Sequence, residues 1–376
     1  MRTSRLLVVT VVLLLSAAVA FGGGQGEAET IKIGVAGAHS GDLASYGIPT
    51  IHAAELVVEE INANGGINGQ LIELVVEDDQ CRPEVATNTA ALLAGEEVVA
   101  VIGHICSGAT RAALGTYTSE NIVTISPSST NPGLTQDGEF PVFFRTIAPD
   151  DAQGQLQAEF VADELGLESV AILHDGGDYG QGLADFARTA LEENYPDVEI
   201  ALYEGVTPGA VDYSAIINRV AQSGAEAVIF GGYHPEASKL VGQMRTQGLD
   251  TVFVSGDGVN DETFINVAGS DAEGVYASGP TDTSSNEMFQ MAAEAHREEY
   301  GEDPGPFFMN AYAAAIAITN AIEEAGSTDP EAIMEALRGN PVATPLGEIS
   351  FNDQGDAEGV GFAMYQVQDG EFTQVQ

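Results

Sequence analysis

The sequence predicts an α/β fold made of two parallel-sheet units. Strand and helix patterns alternate almost without interruption, as they do when helices cover both faces of a sheet. The alternation runs to about residue 150 and then restarts. The strands are short apolar runs ending in Gly, Ser or Thr, the pattern of buried parallel strands that feed directly into helices. A length of 376 residues gives room for about two such units.

Residues 1–20 read as an export signal. Arg2 and Arg5 form a basic start, Leu6 to Leu15 an apolar core broken only by Thr10, and Ala18-Val19-Ala20 an A-x-A cleavage pattern. A membrane anchor fits less well, because Leu6 to Phe21 falls short of the ~20 residues a span needs. No cysteine follows the cleavage region, so lipid attachment is not expected. The mature chain is expected to be soluble and extracytoplasmic. Its first strand is residues 31–36, and an amphipathic helix over 51–64 stops at the C-capping pair Gly65-Gly66. Strands 71–77, 98–103 and 122–125 follow, separated by helices 84–94 and 109–119.

The second unit opens with a helix over 152–165. Strands 169–174, 199–203, 227–231 and 252–255 alternate with helices 183–194, 213–223 and 235–247. Late helices cover 286–300, 307–325 and 330–337. Short strands near 349–351, 363–367 and 372–375 close the chain around Asp353-Gln354-Gly355 and Gln368-Asp369-Gly370 turns. The junctions near 146–149, 279–280 and 351–355 are short and carry no low-complexity linker, which predicts a hinge between two compact lobes.

The chain carries 57 acidic and 12 basic residues, a formal net charge of −45. Phosphate backbones need basic patches, so nucleic acid is excluded as a partner. The acids are spread along the chain rather than gathered in a tail, and 44% hydrophobic content with clear periodicity excludes disorder. The charge predicts a halophilic protein facing high salt, where screening relieves self-repulsion. Two cysteines, Cys81 and Cys106, each lie just past a predicted strand. In an exported protein they read as a disulfide closing a loop of about 25 residues, for roughly 3–4 kcal/mol; two free thiols or a metal pair are the alternatives.

The most informative pattern is a pair of strand ends. One strand runs into His104-Ile105-Cys106-Ser107-Gly108-Ala109-Thr110, the other into Ser126-Pro127-Ser128-Ser129-Thr130-Asn131. Free N–H groups and short hydroxyls at a helix start suit a carboxylate or phosphate, and ligands of open α/β sheets sit outside the carboxyl ends of strands. Helix N-capping by these residues is the plainer alternative. The run from His174 to Gly182 lacks the G-x-G-x-x-G spacing of a dinucleotide loop; Tyr179 there faces either a cleft or the helix start. Asp257, after another strand, can meet an ammonium or simply occupy a Gly-rich turn. A calcium loop through Asp257, Asn260 and Asp261 is off pattern. For an enzyme, no G-x-S-x-G elbow is present and only His104 lies near Ser107. His52 with Glu55 and Glu59 lacks a second histidine for a metal site.

The segments from Gly34 to Gly41, Ile61 to Gly69, Val101 to Ser107 and Ile125 to Pro132, with His174-Asp175, Tyr179-Gly180, Gly231-Gly232-Tyr233 and Pro235-Glu236, carry a family resemblance. Together they resemble the periplasmic leucine/isoleucine/valine-binding proteins of ABC transporters, a branch of the type I periplasmic binding proteins, over essentially the whole chain from about Thr30. The resemblance implies two Rossmann-like lobes joined by a three-segment hinge, with residues 30–147 and 280–350 in one lobe, 148–279 and 351–376 in the other, and the ligand between them. It implies no enzyme activity, no cofactor and no metal. The implied role is a monomer that closes on a branched-chain amino acid and hands it to a membrane ABC permease.

By the same resemblance Ser107 and Thr130 hold the ligand carboxylate, and Ser128 and Ser129 give backbone contacts. Tyr179 and Tyr233 come from the second lobe, Tyr46 and Ile105 shape the side-chain pocket, and Cys81 and Cys106 match the family disulfide. Asp257 stands where the family usually has a glutamate for the ammonium, and Ser128 where glycine is common. Two other readings stand beside this one: an exported sensory module for a related small amide or carboxylate, and a hydrolase using Ser107 and His104.

Overall fold

The computed structural model describes residues 30–375. The export leader read over residues 1–20 lies outside them. The first lobe is built on β1 (Ile31–Gly37), β2 (Ile72–Asp78), β3 (Ala100–Ile102), β4 (Val123–Ser126) and β5 (Phe143–Arg145), all parallel in the order β2-β1-β3-β4-β5. Helices α1 (Ala44–Ala63), α2 (Pro83–Gly95) and α3 (Ser107–Glu120) connect the first four strands. The period-2 alternation of the strands divides their side chains between two cores. Ile31, Ile33 and Val35 of β1, with Ala100, Ile102, Val123 and Ile125, pack beneath α1. Ala36 and Val101 point the other way, into a core with Ala90, Leu93, Ala113 and Leu114 of α2 and α3.

The chain then crosses to the second lobe. Helix α4 (Asp150–Glu159) runs on through a π-helical turn at Phe160–Glu164. Next come β6 (Ser169–His174), α5 (Asp178–Asn194), β7 (Glu199–Gly205), α6 (Ser214–Ser223), β8 (Ala227–Gly231), α7 (His234–Thr246), β9 (Val252–Ser255), α8 (Glu262–Ala268) and β10 (Tyr276–Pro280). A second crossing leads back to α9 (Glu287–Tyr300), α10 (Phe308–Ala325) and α11 (Pro330–Gly339), of which α10 packs on the first sheet beside α1. A small sheet of β11 (Val342–Thr344), β12 (Gly347–Phe351) and β13 (Ala357–Glu358) precedes the third crossing. Strands β14 (Phe362–Gln368) and β15 (Glu371–Gln374) then join the second sheet antiparallel, giving the order β15-β14-β10-β9-β8-β6-β7.

Arg145, fully buried at the first crossing, ties these passages together. Its Nε donates to Asp356 Oδ1 at 2.6 Å, Nη1 to the carbonyls of Ser129 and Asn131 at 3.2 and 2.9 Å, and Nη2 to Thr135 Oγ1 at 2.6 Å. Thr146 and Asn310 exchange reciprocal bonds of 2.8 Å between the first crossing and α10.

Several elements begin earlier than their sequence suggests. Helix α1 starts at Ala44 rather than at 51, and so contains Pro49. Proline there forfeits one helical bond near the start of a 20-residue helix, which the packing against α10 tolerates. Helix α5 starts at Asp178 rather than at 183. Gly180 lies inside it because a Cβ there would strike the Asp175 carboxylate and the Gly231 carbonyl, so the glycine serves close packing rather than a turn. Strands β5 and β10 were not expected from the sequence; β5 ends in a buried arginine just before the 146–149 junction, and β10 runs through Ser-Gly-Pro into the junction at 279–280.

Candidate functional site

The two lobes meet across a seam, and a small, nearly filled cavity lies within it. Tyr46, Ile105 and Ser128 of the first lobe, Tyr179, Tyr233, Asp257 and Gly258 of the second, and Phe307 at the start of α10 line it. The seam is shut by bonds between the lobes. Tyr46 Oη donates to the Gly258 carbonyl at 2.8 Å and Ser45 Oγ to Asp261 Oδ2 at 2.5 Å. On the other side Arg111 Nε donates to Asp178 Oδ2 at 2.6 Å and Asn131 Nδ2 to the Asp178 carbonyl at 2.7 Å.

The first lobe presents the two hydroxyl-rich strand ends as one knitted shelf. Ser107 is the first residue of α3, and Cys106 before it is disulfide-bonded to Cys81 with their Cα atoms 5.5 Å apart. Ser126 Oγ donates to the His104 carbonyl at 2.5 Å and accepts the N–H groups of Ser128 and Ser129 at 3.3 and 2.9 Å. Ser128 Oγ donates to the Ile105 carbonyl at 2.8 Å, and Ser129 Oγ lies 2.5 Å from Thr110 Oγ1. The Ser128 and Ser129 hydroxyls are therefore engaged in holding the shelf. Ser107 Oγ accepts the Asn131 N–H at 3.2 Å, which leaves its own O–H to donate. Thr130 is fully buried, and its hydroxyl has no hydrogen-bond partner.

His104 does not activate Ser107. Its Nδ1 lies 2.5 Å from Asp79 Oδ2 and its Nε2 2.9 Å from Tyr117 Oη, with all three side chains buried. Both ring nitrogens are engaged by partners other than Ser107, so His104 is not the base that the hydrolase reading needs. Nor do Asp257, Asn260 and Asp261 form a calcium loop. Asp257 faces Tyr179, while Asp261 caps α8 by accepting the Thr263 N–H at 2.7 Å. Among the described residues no group of three or more His, Cys, Asp or Glu side chains is arranged to hold a metal.

The second lobe supplies the acidic end. Tyr179 lies in the first turn of α5 after β6, Tyr233 caps α7 after β8, and Asp257 follows β9. All three therefore stand at carboxyl ends of parallel strands. Tyr179 Oη donates to Asp257 Oδ1 at 2.6 Å and accepts the Gly258 N–H at 3.0 Å. Gln153 of α4 holds Asp257 at two points: its Nε2 donates to Oδ1 at 3.2 Å and its Oε1 accepts the Asp257 N–H at 3.2 Å. A Cβ at Gly256 would meet the Tyr179 hydroxyl and Gln153 Oε1, so this glycine makes room for the network rather than for a turn. Burial pushes the Asp257 carboxyl up to about 6. It also raises the hydroxyls of Tyr46, Tyr179 and Tyr233, which stay neutral donors.

Of the residues singled out in the sequence, Tyr46, Ile105, Ser128, Tyr179, Tyr233 and Asp257 line the cavity; Ser107, Ser129 and Thr130 stand in the shelf that supports it. Phe307, Gln153 and Asp150 were missed. Phe307 has φ +60°, a conformation that bulky residues seldom adopt. Asp150, Gln153 and Gln157 form a polar i, i+3, i+7 stripe on α4 that resembles a solvated face, yet all three are fully buried. The arrangement offers hydrogen-bond donors on one wall, a carboxylate on the other and aromatic rings between, which is binding chemistry for a small zwitterion.

The sequence matches the family model described as periplasmic binding protein over residues 30–371. It is 35% identical over 339 residues to the leucine-, isoleucine-, valine-, threonine- and alanine-binding protein of Pseudomonas aeruginosa, covering 90% of each chain. The fold superposes with a TM-score of 0.86 on a leucine-binding protein from Thermotoga maritima, at 26% identity, covering 92% of this chain and 98% of the other. It superposes with a TM-score of 0.81 on the branched-chain amino acid transporter substrate-binding protein from Streptococcus pneumoniae in complex with isoleucine, at 30% identity over 92% of this chain and all of the other.

Proposed function

We propose, from the premise that this chain belongs to the periplasmic binding protein family, that it captures an aliphatic amino acid outside the cytoplasm and delivers it to an ABC permease. The observation that carries the reading is Asp257. It is a fully buried carboxylate fixed by Tyr179 and Gln153 on the cavity wall opposite the hydroxyl shelf. A buried carboxylate calls for a cation, and a buried row of donors calls for an anion. A free amino acid supplies both at the spacing of one carbon atom. Ser107 and the backbone N–H groups at the start of α3 would take its carboxylate, with Thr130 between the two charges. Tyr46, Ile105 and Phe307 would enclose an aliphatic side chain.

In this reading residues 30–147 with 280–350 and residues 148–279 with 351–376 move as two bodies about the three crossings. The protein works as an exported monomer after loss of residues 1–20, without enzyme activity, and its acidity suits a saline exterior. Among the described residues no helix is long and apolar enough to cross a membrane. A thermal-shift screen against the twenty amino acids, followed by calorimetry, tests the proposal. Leucine, isoleucine or valine should raise the melting temperature and bind one to one without turnover. No response to any of the twenty would overturn the proposal.

A further inference from the structure

We infer that Asp150 is a second acidic acceptor for the ligand's ammonium group, acting beside Asp257 and Thr130. The inference rests on reading the site as an amino-acid receptor and extends it to a residue outside the cavity lining. Asp150 is the first residue of α4, at the crossing into the second lobe. It is fully buried, and neither carboxylate oxygen has a hydrogen-bond partner. Its backbone N–H donates to the Thr130 carbonyl at 2.9 Å, so the two residues are fastened together, and the Thr130 hydroxyl is likewise buried without a partner.

The surroundings do not neutralise Asp150. Burial and the charge of Asp257 both push its carboxyl upward, and Asp151 adds to this; the Thr130 hydroxyl, near the carboxylate but short of hydrogen-bond geometry, and Arg145 oppose. Arg145 is already committed to Asp356, Thr135 and two carbonyls, and none of its hydrogen bonds reaches Asp150. A carboxylate in such a place either carries a proton or waits for a cation.

The chemistry of an ammonium group fits what remains. It carries three N–H donors and no acceptor. Asp257 has Oδ1 engaged by Tyr179 and Gln153, while Oδ2 takes no side-chain bond. Thr130 Oγ1 and the Asp150 carboxylate complete a set of three acceptors for three donors. The competing explanation is that Asp150 only favours the start of α4, as an acid in a first helical turn does.

Calorimetry with two probes separates these roles. Leucine offers the ammonium, and its 2-hydroxy analogue keeps the carboxylate and side chain but replaces the ammonium with one uncharged O–H. With Asp150→Asn in the full mature protein, leucine affinity should fall tenfold or more while that of the hydroxy acid stays within about twofold. An equal loss for both probes would show a structural role and overturn the inference, as would an unchanged ratio. If Asp150→Asn does not fold, Asp150→Ser is read by the same ratio, with the same outcomes. A wild-type protein that binds leucine poorly from the outset would instead refute the receptor reading, and this inference with it.

Discussion

Replacing Asp257 with asparagine removes one charge from the site and almost no volume. Burial pushes this carboxyl from its ordinary 3.8 up to about 6, which corresponds to about 3 kcal/mol of preference for the neutral form. The folded carboxyl therefore holds its proton more tightly than the unfolded chain does. The resulting penalty is absent below pH 3.8, grows between 3.8 and 6, and is fully present at pH 7. Asp257→Asn lifts that penalty, so the melting temperature of the ligand-free protein at pH 7 should not fall. It also leaves the ligand's buried ammonium facing a neutral amide. Truncating one partner of a buried charge pair weakens binding by about 2–5 kcal/mol, roughly thirty- to several-thousandfold. Calorimetry with leucine from pH 4.5 to 8 reads both effects. Wild-type affinity should decline as pH drops through about 6 and Asp257 is neutralised, whereas the variant should be weak and flat across the range. Wild-type affinity in the variant, or a flat wild-type profile, would refute the assignment of Asp257 to the ammonium.

Arg145→Met should destabilise the fold by about 3–5 kcal/mol in urea, because Asp356 is left buried and uncompensated; adding Asp356→Leu should recover most of the loss. Reducing the Cys81–Cys106 bridge, which closes a 25-residue separation, should lower stability by about 3 kcal/mol on the entropy model, read from denaturant melts with and without reductant. Arg111→Ala removes an ion pair that is a third exposed on one side and more on the other. It should cost less than about 1 kcal/mol and appear mainly as faster ligand release in stopped-flow. Raising NaCl should raise the melting temperature of so acidic a chain; a melting point that does not rise with salt would contradict that expectation.

The fold was legible because buried parallel strands leave a plain signal. The runs at β3, β4, β8 and β9 are dominated by apolar residues, and each gives way at once to small or polar ones. Helix starts were less legible. Pro49 and Gly180 act locally as breakers, and only contacts with distant residues explain why helices continue through them. In the site, Tyr179, Tyr233 and Asp257 stood out because each follows a strand end, whereas Tyr46, inside α1, was named only by the family resemblance. Asp150 and Gln153 did not stand out, since a polar stripe on a helix ordinarily faces water. Here β9 and β10 of the second sheet, with the Asp257 loop, cover it. Phe307 was hidden by its position as a helix cap, from which sequence gives no direction for the ring.

The guanidinium of Arg145 joins residues 211 positions apart. It also grips the carbonyls on either side of Thr130, so the shape of the binding shelf depends on a carboxylate that emerges from the ribosome long after the shelf itself. An N-terminal fragment would carry an unmatched cation at its centre and a slack binding loop. Contacts so remote in sequence slow assembly, and here they make the shape of one loop in the first half of the chain depend on a residue near its other end.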